Sequence, residues 1–260
     1  MTIPNRPFGV ELEFFSAPHP QVVAWMIESL GYRSADSEDP MKRYPDFTYW
    51  YVGDDASIRG PGVRIEISSP ILKGAKGLAE VRKVCRVLQE LGCKTNASCG
   101  LHVHVARGRL SPKVGYTMIK RYGTHEDEID SWITKARRGS RCSSCTSHKR
   151  DVKNLTDIYN DPYERSQMFG DHEDILDSVD GEKIRISENY PTWEFRHHHG
   201  TLDPTEVSNW IQFCLNFVET SADLSPGTRR KTKRTRDTGP LLGLPSSVRN
   251  HFRYQAERFK

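Results

Sequence analysis

The sequence lacks any long apolar run, and this absence excludes one class of protein. No stretch of the 260 residues approaches the ~20 consecutive apolar residues that a membrane-spanning helix requires. The opening segment, Met1-Thr-Ile-Pro-Asn-Arg-Pro7, also lacks the apolar core of a secretory signal peptide. We therefore expect a cytoplasmic protein, and its length suffices for a substantial hydrophobic core.

Two familiar nucleotide-binding signatures are also missing. The sequence contains neither a Gly-rich P-loop nor a Rossmann fingerprint. It has no internal repeat either, which excludes a solenoid architecture. A bound nucleotide would therefore have to be held by side chains and metal ions.

Cysteine is sparse and irregularly spaced. The six cysteines form no disulfide-like framework, and in a cytosolic chain we expect them to be reduced. Only Cys142-Ser-Ser-Cys145, followed by His148, has the spacing of a metal site. Three ligands at best and no second CxxC favour a reduced pair in a mobile loop over structural zinc.

The net charge of +4 comes from one short segment. Residues 229–236 carry six positive charges, and removing these six leaves −2 for the rest of the chain. Such a run within a segment containing Pro and Gly is typical of a mobile tail, with nucleic acid or an acidic protein as candidate partner. We assign residues 222–260 to a basic C-terminal extension, although residues 242–260 could equally form a helix packed on the core.

Several segments alternate apolar and polar residues with the two-residue period of a half-buried strand. Strands are predicted at 8–15, 47–52, 63–68, 99–105, 183–187 and 192–196, and helices at 20–31, 74–92, 112–122, 126–135 and 203–220. Residues 135–153 and 160–182 show no periodicity and are interpreted as mobile surface loops. This order predicts an α+β fold, with helices packed on the apolar face of a sheet.

The polar faces of four of these strands are unusual. They carry no lysine, although a solvated face would include long side chains of that kind; they hold Glu11 and Glu13, Arg64 and Glu66, His102 and His104, and Glu194 and Arg196. Carboxylates gathered on one face repel one another, and divalent cations between them relieve the repulsion. Carboxylate oxygens with an imidazole nitrogen suit Mg²⁺ or Mn²⁺, and the arginines could bind phosphate bidentately.

Five motifs then occur in a recognisable order. They are Phe8-Gly-Val-Glu-Leu-Glu13, Asp55-Ala-Ser57-Ile, Glu66-Ile-Ser-Ser-Pro70, Asn96-Ala-Ser-Cys-Gly-Leu-His-Val-His-Val105 and Glu194-Phe-Arg-His-His-His-Gly-Thr201. Together they resemble the amidoligase family, part of the carboxylate–amine ligase superfamily of glutamine synthetase and glutamate–cysteine ligase. On this basis residues 1–221 form the catalytic domain, with a loop insertion at about 137–182.

The resemblance implies a fold and a chemistry. The fold is an antiparallel sheet curved into a bowl, with helices on its convex face, as in the glutamine synthetase catalytic domain. The chemistry is ATP-dependent, Mg²⁺-dependent amide formation, in which a carboxylate is activated as an acyl phosphate and then attacked by an amine. The identities of the acid and the amine do not follow from the resemblance.

The resemblance also implies roles for individual residues. The implied metal ligands are Glu11, Glu13, Glu66, His102 and Glu194, and the implied catalytic set is Glu66, Arg196, His104, Asp55 and Ser57. Which of His102 and His104 is the ligand stays open. ATP would contact Arg64, Arg196 and His102, with Arg138 and Arg141 from a lid at 137–153. That segment could equally be a solvated basic loop. Ala56 stands where the family often has glycine.

Three other functions remain open at this point. Cys99 near His102 and His104 could serve a Cys/His acyl-transfer enzyme, although the carboxylates would then be unexplained. The same carboxylates with His197–His199 could form a metal-dependent hydrolase. The basic run at 229–236 could make the protein a nucleic-acid or partner-binding protein.

Overall fold

The structure is a computed structural model that describes residues 3–37, 47–139, 145–170, 179–187, 190–227 and 239–260. The chain divides into two compact units. The sheet unit contains residues 5–104 and 198–211, and the helical unit contains residues 1–4, 105–197 and 212–260. Across the described ranges, no helix combines the length and apolar character needed to cross a membrane.

The sheet unit is built on an open sheet. Its strands are β1 (Pro7–Ala17), β2 (Ser34–Asp36), β3 (Trp50–Asp54), β4 (Val63–Ser68), β5 (Leu72–Lys73) and β6 (Gly100–Ala106, the last two residues of which belong to the helical unit), and its helices are α1 (Pro20–Ser29) and α2 (Gly74–Glu90). The strand order is β2-β3-β4-β1-β6, and β5 pairs with β1. The pairs β1–β4 and β3–β4 are antiparallel, as the resemblance implies, and so is the pair β1–β5. The short edge strand β2 runs parallel to β3.

The alternation in β1 produces the predicted two-faced strand. Phe8, Val10, Leu12 and Phe14 are all at most 2% exposed. The apolar stripe of α2 is likewise buried. The chain leaves this helix at Gly92, whose φ of 77° lies in the left-handed region that glycine tolerates. The apolar residues of β1 are thus buried on one face of the strand, and Glu11 and Glu13 lie on the other.

The helical unit contains more helix than the sequence predicts. Its elements are α3 (Pro112–Thr124), α4 (Glu126–Ser131), a 3₁₀ turn (Lys135–Arg137), α5 (Lys149–Asn160), α6 (Pro162–Met168), β7 (Ile184–Ile186), β8 (Thr192–His199), α7 (Pro204–Leu224) and α8 (Ser246–Arg258). The last two residues of β8 and the first eight of α7 belong to the sheet unit. The strands β7 and β8, which fall on the predicted strands 183–187 and 192–196, pair as an antiparallel hairpin.

The prediction of a loop at 137–182 was wrong for α5 and α6. Leu155 of α5 and Met168 of α6 are buried together with Tyr116 and Ile119 of α3. A few apolar residues at helical spacing among many charges are enough for this packing, but they are too few to be seen as a periodic pattern.

The C-terminal extension is partly a packed helix. Val248 and Phe252 of α8 are buried, and the Phe252 ring lies 4.6 Å from the centroid of Trp132 and 5.7 Å from that of Phe213. This confirms the packed-helix alternative for the end of the chain. The basic run at 229–236 lies outside the described residues.

Candidate functional site

Six of the predicted site residues come together in the sheet unit. This carboxylate cluster consists of Glu11 and Glu13 on β1, Glu66 on β4, His102 and His104 on β6, and Asp55 directly after β3. Because side chains alternate along a strand, Glu11 and Glu13 lie on one face of β1. The β1–β4 register places Glu13 directly opposite Glu66.

Two imidazoles hold Glu11. Its Oε2 atom lies 3.0 Å from Nδ1 of His102, and its Oε1 atom lies 3.1 Å from Nε2 of His104. Burial alone would raise the pKa of Glu11, but the hydrogen bonds from the two imidazoles outweigh it and hold this pKa well below its usual range. Glu11 is therefore an ionised carboxylate whose orientation is fixed at both oxygens.

Glu13 is fixed by a backbone donor. The amide of Gly100 donates to its Oε2 atom at 2.7 Å, and its Oε1 atom lies 3.5 Å from Nε2 of His102. The β1 glutamates thus share His102, which contacts both.

The cluster contains two overlapping sets of metal-ligand atoms. Glu11, Glu66 and His102 form one set, and Glu13, Asp55 and Glu66 form the other; within each set one donor atom per residue lies within 4.8 Å of the others. Glu66 belongs to both. Oxygen donors with at most one imidazole match the preference of Mg²⁺ and Mn²⁺ better than that of zinc.

The turn that carries Asp55 is braced against the loop before β6. Asp55 Oδ1 accepts from the amide of Ser57 at 2.7 Å, as in an Asx turn. Two residues on, the amide of Arg59 donates to Ser98 Oγ at 2.8 Å, and the side-chain amide of Asn96 donates to the Arg59 carbonyl. Ser57 itself is exposed, and its backbone amide makes the contact that closes the turn and positions Asp55.

The predicted arginines occupy different environments. Arg64 is exposed, and its Nη1 atom lies 3.4 Å from the carbonyl of Ile58. In the helical unit, Arg138 donates to the carbonyls of Ile133 at 2.6 and 2.8 Å and of Phe259 at 3.0 Å, which ties the end of the chain to the segment after α4. Arg141 lies outside the described residues.

Glu194 and Arg196 are brought together in the helical unit. Arg196 Nη1 lies 2.5 Å from Glu194 Oε1, and Arg185, directly opposite on β7, places Nε 2.8 Å from Glu194 Oε2. Each oxygen of the Glu194 carboxylate is therefore bound by one guanidinium group. These charge-assisted contacts fix the orientation of all three side chains.

The sulfur chemistry considered from the sequence finds little support. Cys99 is fully buried, and burial raises the pKa of its thiol, which disfavours the thiolate that a nucleophile needs. Cys145 is disulfide-bonded, so the prediction that the cysteines are reduced is wrong for this residue. Both ring nitrogens of His148 are used, one by Asp151 at 2.7 Å and one by Ile184 at 3.0 Å. The third residue of the zinc motif, Cys142, lies outside the described residues.

A second buried cluster was not predicted. His199 Nε2 lies 3.2 Å from Glu206 Oε1, and Thr201 donates to Glu206 Oε2 at 2.9 Å. Burial raises the pKa of Glu206, but the bond to His199 and the charges of His198 and His199 outweigh it and lower this pKa to about 2. Glu206 also stands in the first turn of α7, where its amide donates to Asp203 Oδ1, and in the sequence this capping-box position hides the contact with His199.

One donor atom from each of His198, His199 and Glu206 lies within 4.8 Å of the others, but the orientation of the two imidazoles is unfavourable for sharing a metal ion. The rings of His198 and His199 are stacked, with centroids 4.4 Å apart and an interplanar angle of 18°. The lone pairs of imidazole nitrogens lie in the ring plane, so two nearly parallel rings do not direct them at one point. We interpret the cluster as a buried ion-pair network next to Trp210, whose ring lies 4.7 Å from His198.

Comparison with known proteins identifies a family for this chain. The family model Amidoligase_2, described as "Putative amidoligase enzyme", matches residues 4–218. No curated protein gives a significant match. The match spans most of the chain and contains the whole carboxylate cluster together with Glu194 and Arg196. The chain therefore belongs to the amidoligase family, a family of ligase-type enzymes.

Proposed function

We propose that this protein is an ATP-dependent carboxylate–amine ligase that uses Mg²⁺ or Mn²⁺ and forms an amide through an acyl phosphate. The observation that carries the proposal is that Glu66 belongs to two donor sets at once. A carboxylate shared between two cations is suited to holding them a few ångströms apart, which is the arrangement that clamps a transferring phosphoryl group.

The donor atoms of the cluster fit these ions. When bound, the cations would neutralise charge on the phosphates of ATP. Glu11 and Glu13 would hold them with little reorganisation, because His102, His104 and the Gly100 amide already fix both carboxylates. Asp55, in its braced turn, would complete the second set.

The proposed reaction has two steps, phosphorylation of the carboxylate and displacement of phosphate by the amine. An oxygen of the substrate carboxylate attacks the γ-phosphorus of ATP, and ADP leaves. The nitrogen of the amine then attacks the acyl carbon, phosphate leaves, and the nitrogen gives up a proton to a base. Glu194 and Arg196 take the roles that the resemblance implies for the closing Glu-x-Arg, a carboxylate ligand and a phosphate-binding guanidinium. In this proposal the sheet is curved into a bowl, as in the catalytic domain of glutamine synthetase, and the substrates bind on its concave face.

The experiment is Mg-ATP turnover screened against libraries of carboxylates and amines. We expect ADP release that depends on both substrates, and an amide product that depends on ATP. An amide-hydrolysing activity that needs the metal but not ATP would favour the hydrolase instead. If the purified protein binds neither Mg-ATP nor Mn-ATP, the ligase proposal is wrong.

A matched pair of variants ties the signal to the cluster. Glu66→Gln removes one charge from both donor sets, so Mn²⁺ affinity measured by calorimetry should fall by at least about tenfold. Glu90→Gln removes the same charge from an exposed position on α2 and should leave the affinity unchanged. Equal affinities for the two variants would exclude Glu66 as a ligand.

A further inference from the structure

The helical unit contains a buried network of charged and polar side chains that the proposed reaction does not use directly. Lys183 Nζ lies 2.7 Å from Glu126 Oε1 and 2.7 Å from Asp130 Oδ1. The side chain of Lys183 is fully buried, and that of Glu126 is 1% exposed. Unpaired charges in such a position are strongly destabilising, so these contacts hold the three groups in one arrangement.

Asp130 uses the same oxygen for a second contact. Its Oδ1 atom lies 2.8 Å from Nε2 of His197, and Nδ1 of His197 lies 2.7 Å from the Tyr122 hydroxyl. A carboxylate can only accept, so Nε2 of His197 carries the proton and Nδ1 accepts the proton of the phenol. One oxygen of Asp130 therefore holds both an ammonium group and an imidazole.

These two anchored residues lie next to Arg196 in the hairpin. The amide of Arg196 donates to the carbonyl of Lys183 at 2.9 Å, and His197 follows Arg196 in β8. The carbonyl of Arg196 accepts from Nη2 of Arg137 at 2.6 Å. The backbone of Arg196 is thus fixed on both sides, while its guanidinium holds Glu194.

We propose that Asp130 is a positioning residue for Arg196 and Glu194, because its Oδ1 atom anchors the two residues that border Arg196 in the hairpin. The role in catalysis depends on the proposed function, in which Arg196 contacts phosphate. A guanidinium group binds phosphate bidentately only in a narrow range of orientations, so small shifts of its backbone are costly.

Helix α4 supplies a matched control. Asp127 lies on the same helix and pairs with Lys149, but its side chain is 86% exposed. Replacing Asp127 removes an acidic residue from α4 without touching the hairpin. Asp130→Asn is the conservative variant, because the side-chain amide has the same shape and keeps one oxygen acceptor, while it loses the charge and gains an NH₂ donor.

The first test is a kinetic double-mutant cycle. Asp130→Ala should lower kcat/KM for Mg-ATP by roughly tenfold, and Asp127→Ala should leave it unchanged. In an Arg196→Ala background, Asp130→Ala should cost less than about twofold, since there is no guanidinium left to position. Asp130→Asn should recover part of the loss. Equal costs in the two backgrounds would show that Asp130 acts on stability alone and would overturn the proposal.

The second test does not depend on the reaction. Amide hydrogen exchange of the full-length protein should be faster at residues 194–197 in Asp130→Ala than in wild type or Asp127→Ala. Unchanged exchange in this hairpin would overturn the anchoring. If wild type shows no ATP-dependent turnover, the proposed function fails, while the exchange experiment still decides whether Asp130 positions the hairpin.

Discussion

Acid should destabilise this protein through His197 at a pH where the carboxylates are still ionised. His197 is fully buried, and burial lowers its pKa to about 4 despite the opposing effect of Asp130. In the unfolded chain an imidazole has a pKa near 6.5. As the pH falls below about 6.5, protons therefore bind the unfolded state first, and stability is lost until the pH reaches about 4.

The size of this effect follows from the two values. The gap between 6.5 and about 4 corresponds to about 3 kcal/mol of unfolding free energy over the full range. Between about pH 7.5 and about pH 5, where experiments are cleaner, His197 alone should account for about 2 kcal/mol.

The assay is urea unfolding across this pH range for wild type, His197→Gln and His19→Gln. His197→Gln also loses contacts to Tyr122 and Asp130, but this lowers stability by a similar amount at every pH and leaves the slope to report the proton. The exposed His19 is the control and should keep the wild-type slope. If His197→Gln loses as much stability on acidification as wild type does, His197 is not held neutral and the reasoning is wrong.

Three further predictions concern stability and can be checked by urea or thermal unfolding. Lys183→Met should cost about 3–5 kcal/mol, because it leaves the buried carboxylate of Glu126 and the partly buried carboxylate of Asp130 without their cation, and a cost under about 1 kcal/mol would contradict the network. Phe252→Ala should cost about 3–5 kcal/mol because Phe252 is 1% exposed in the packed C-terminal helix, whereas Tyr254→Ala, 65% exposed there, should change stability by about 0.5 kcal/mol or less. Gly200→Ala should lower the melting temperature, since its methyl group would overlap Cβ of Cys99, and an unchanged melting temperature would show that this close approach relaxes freely.

Much of the sheet unit could be predicted because its signals are local. The alternation in residues 8–15 and 63–68 fixes which side chains share a face, and the register only has to bring Glu13 beside Glu66. Strands of two and three residues, such as β5 and β2, carry no such period, so neither they nor the parallel pairing of β2 could be foreseen.

The rest depends on contacts between residues distant in the sequence. Lys183 stands in a predicted strand, where a lysine would be expected to reach solvent, and nothing nearby shows that Glu126 and Asp130 enclose it. Glu206 stands three residues after Asp203, a spacing that indicates a helix cap and does not reveal the contact of its side chain with His199. Buried polar networks are specified by tertiary packing, and their members carry no periodic signal.

The register that sets Glu13 opposite Glu66 also bears on how readily this protein could be made more stable. Like charges facing each other across an antiparallel pair weaken the sheet. Replacing Glu13 with glutamine would remove this repulsion and keep an oxygen acceptor for the Gly100 amide. Screening for stability alone would therefore select against the donor set that the proposed activity needs, and under that proposal the β1–β4 pair gives up fold stability for function.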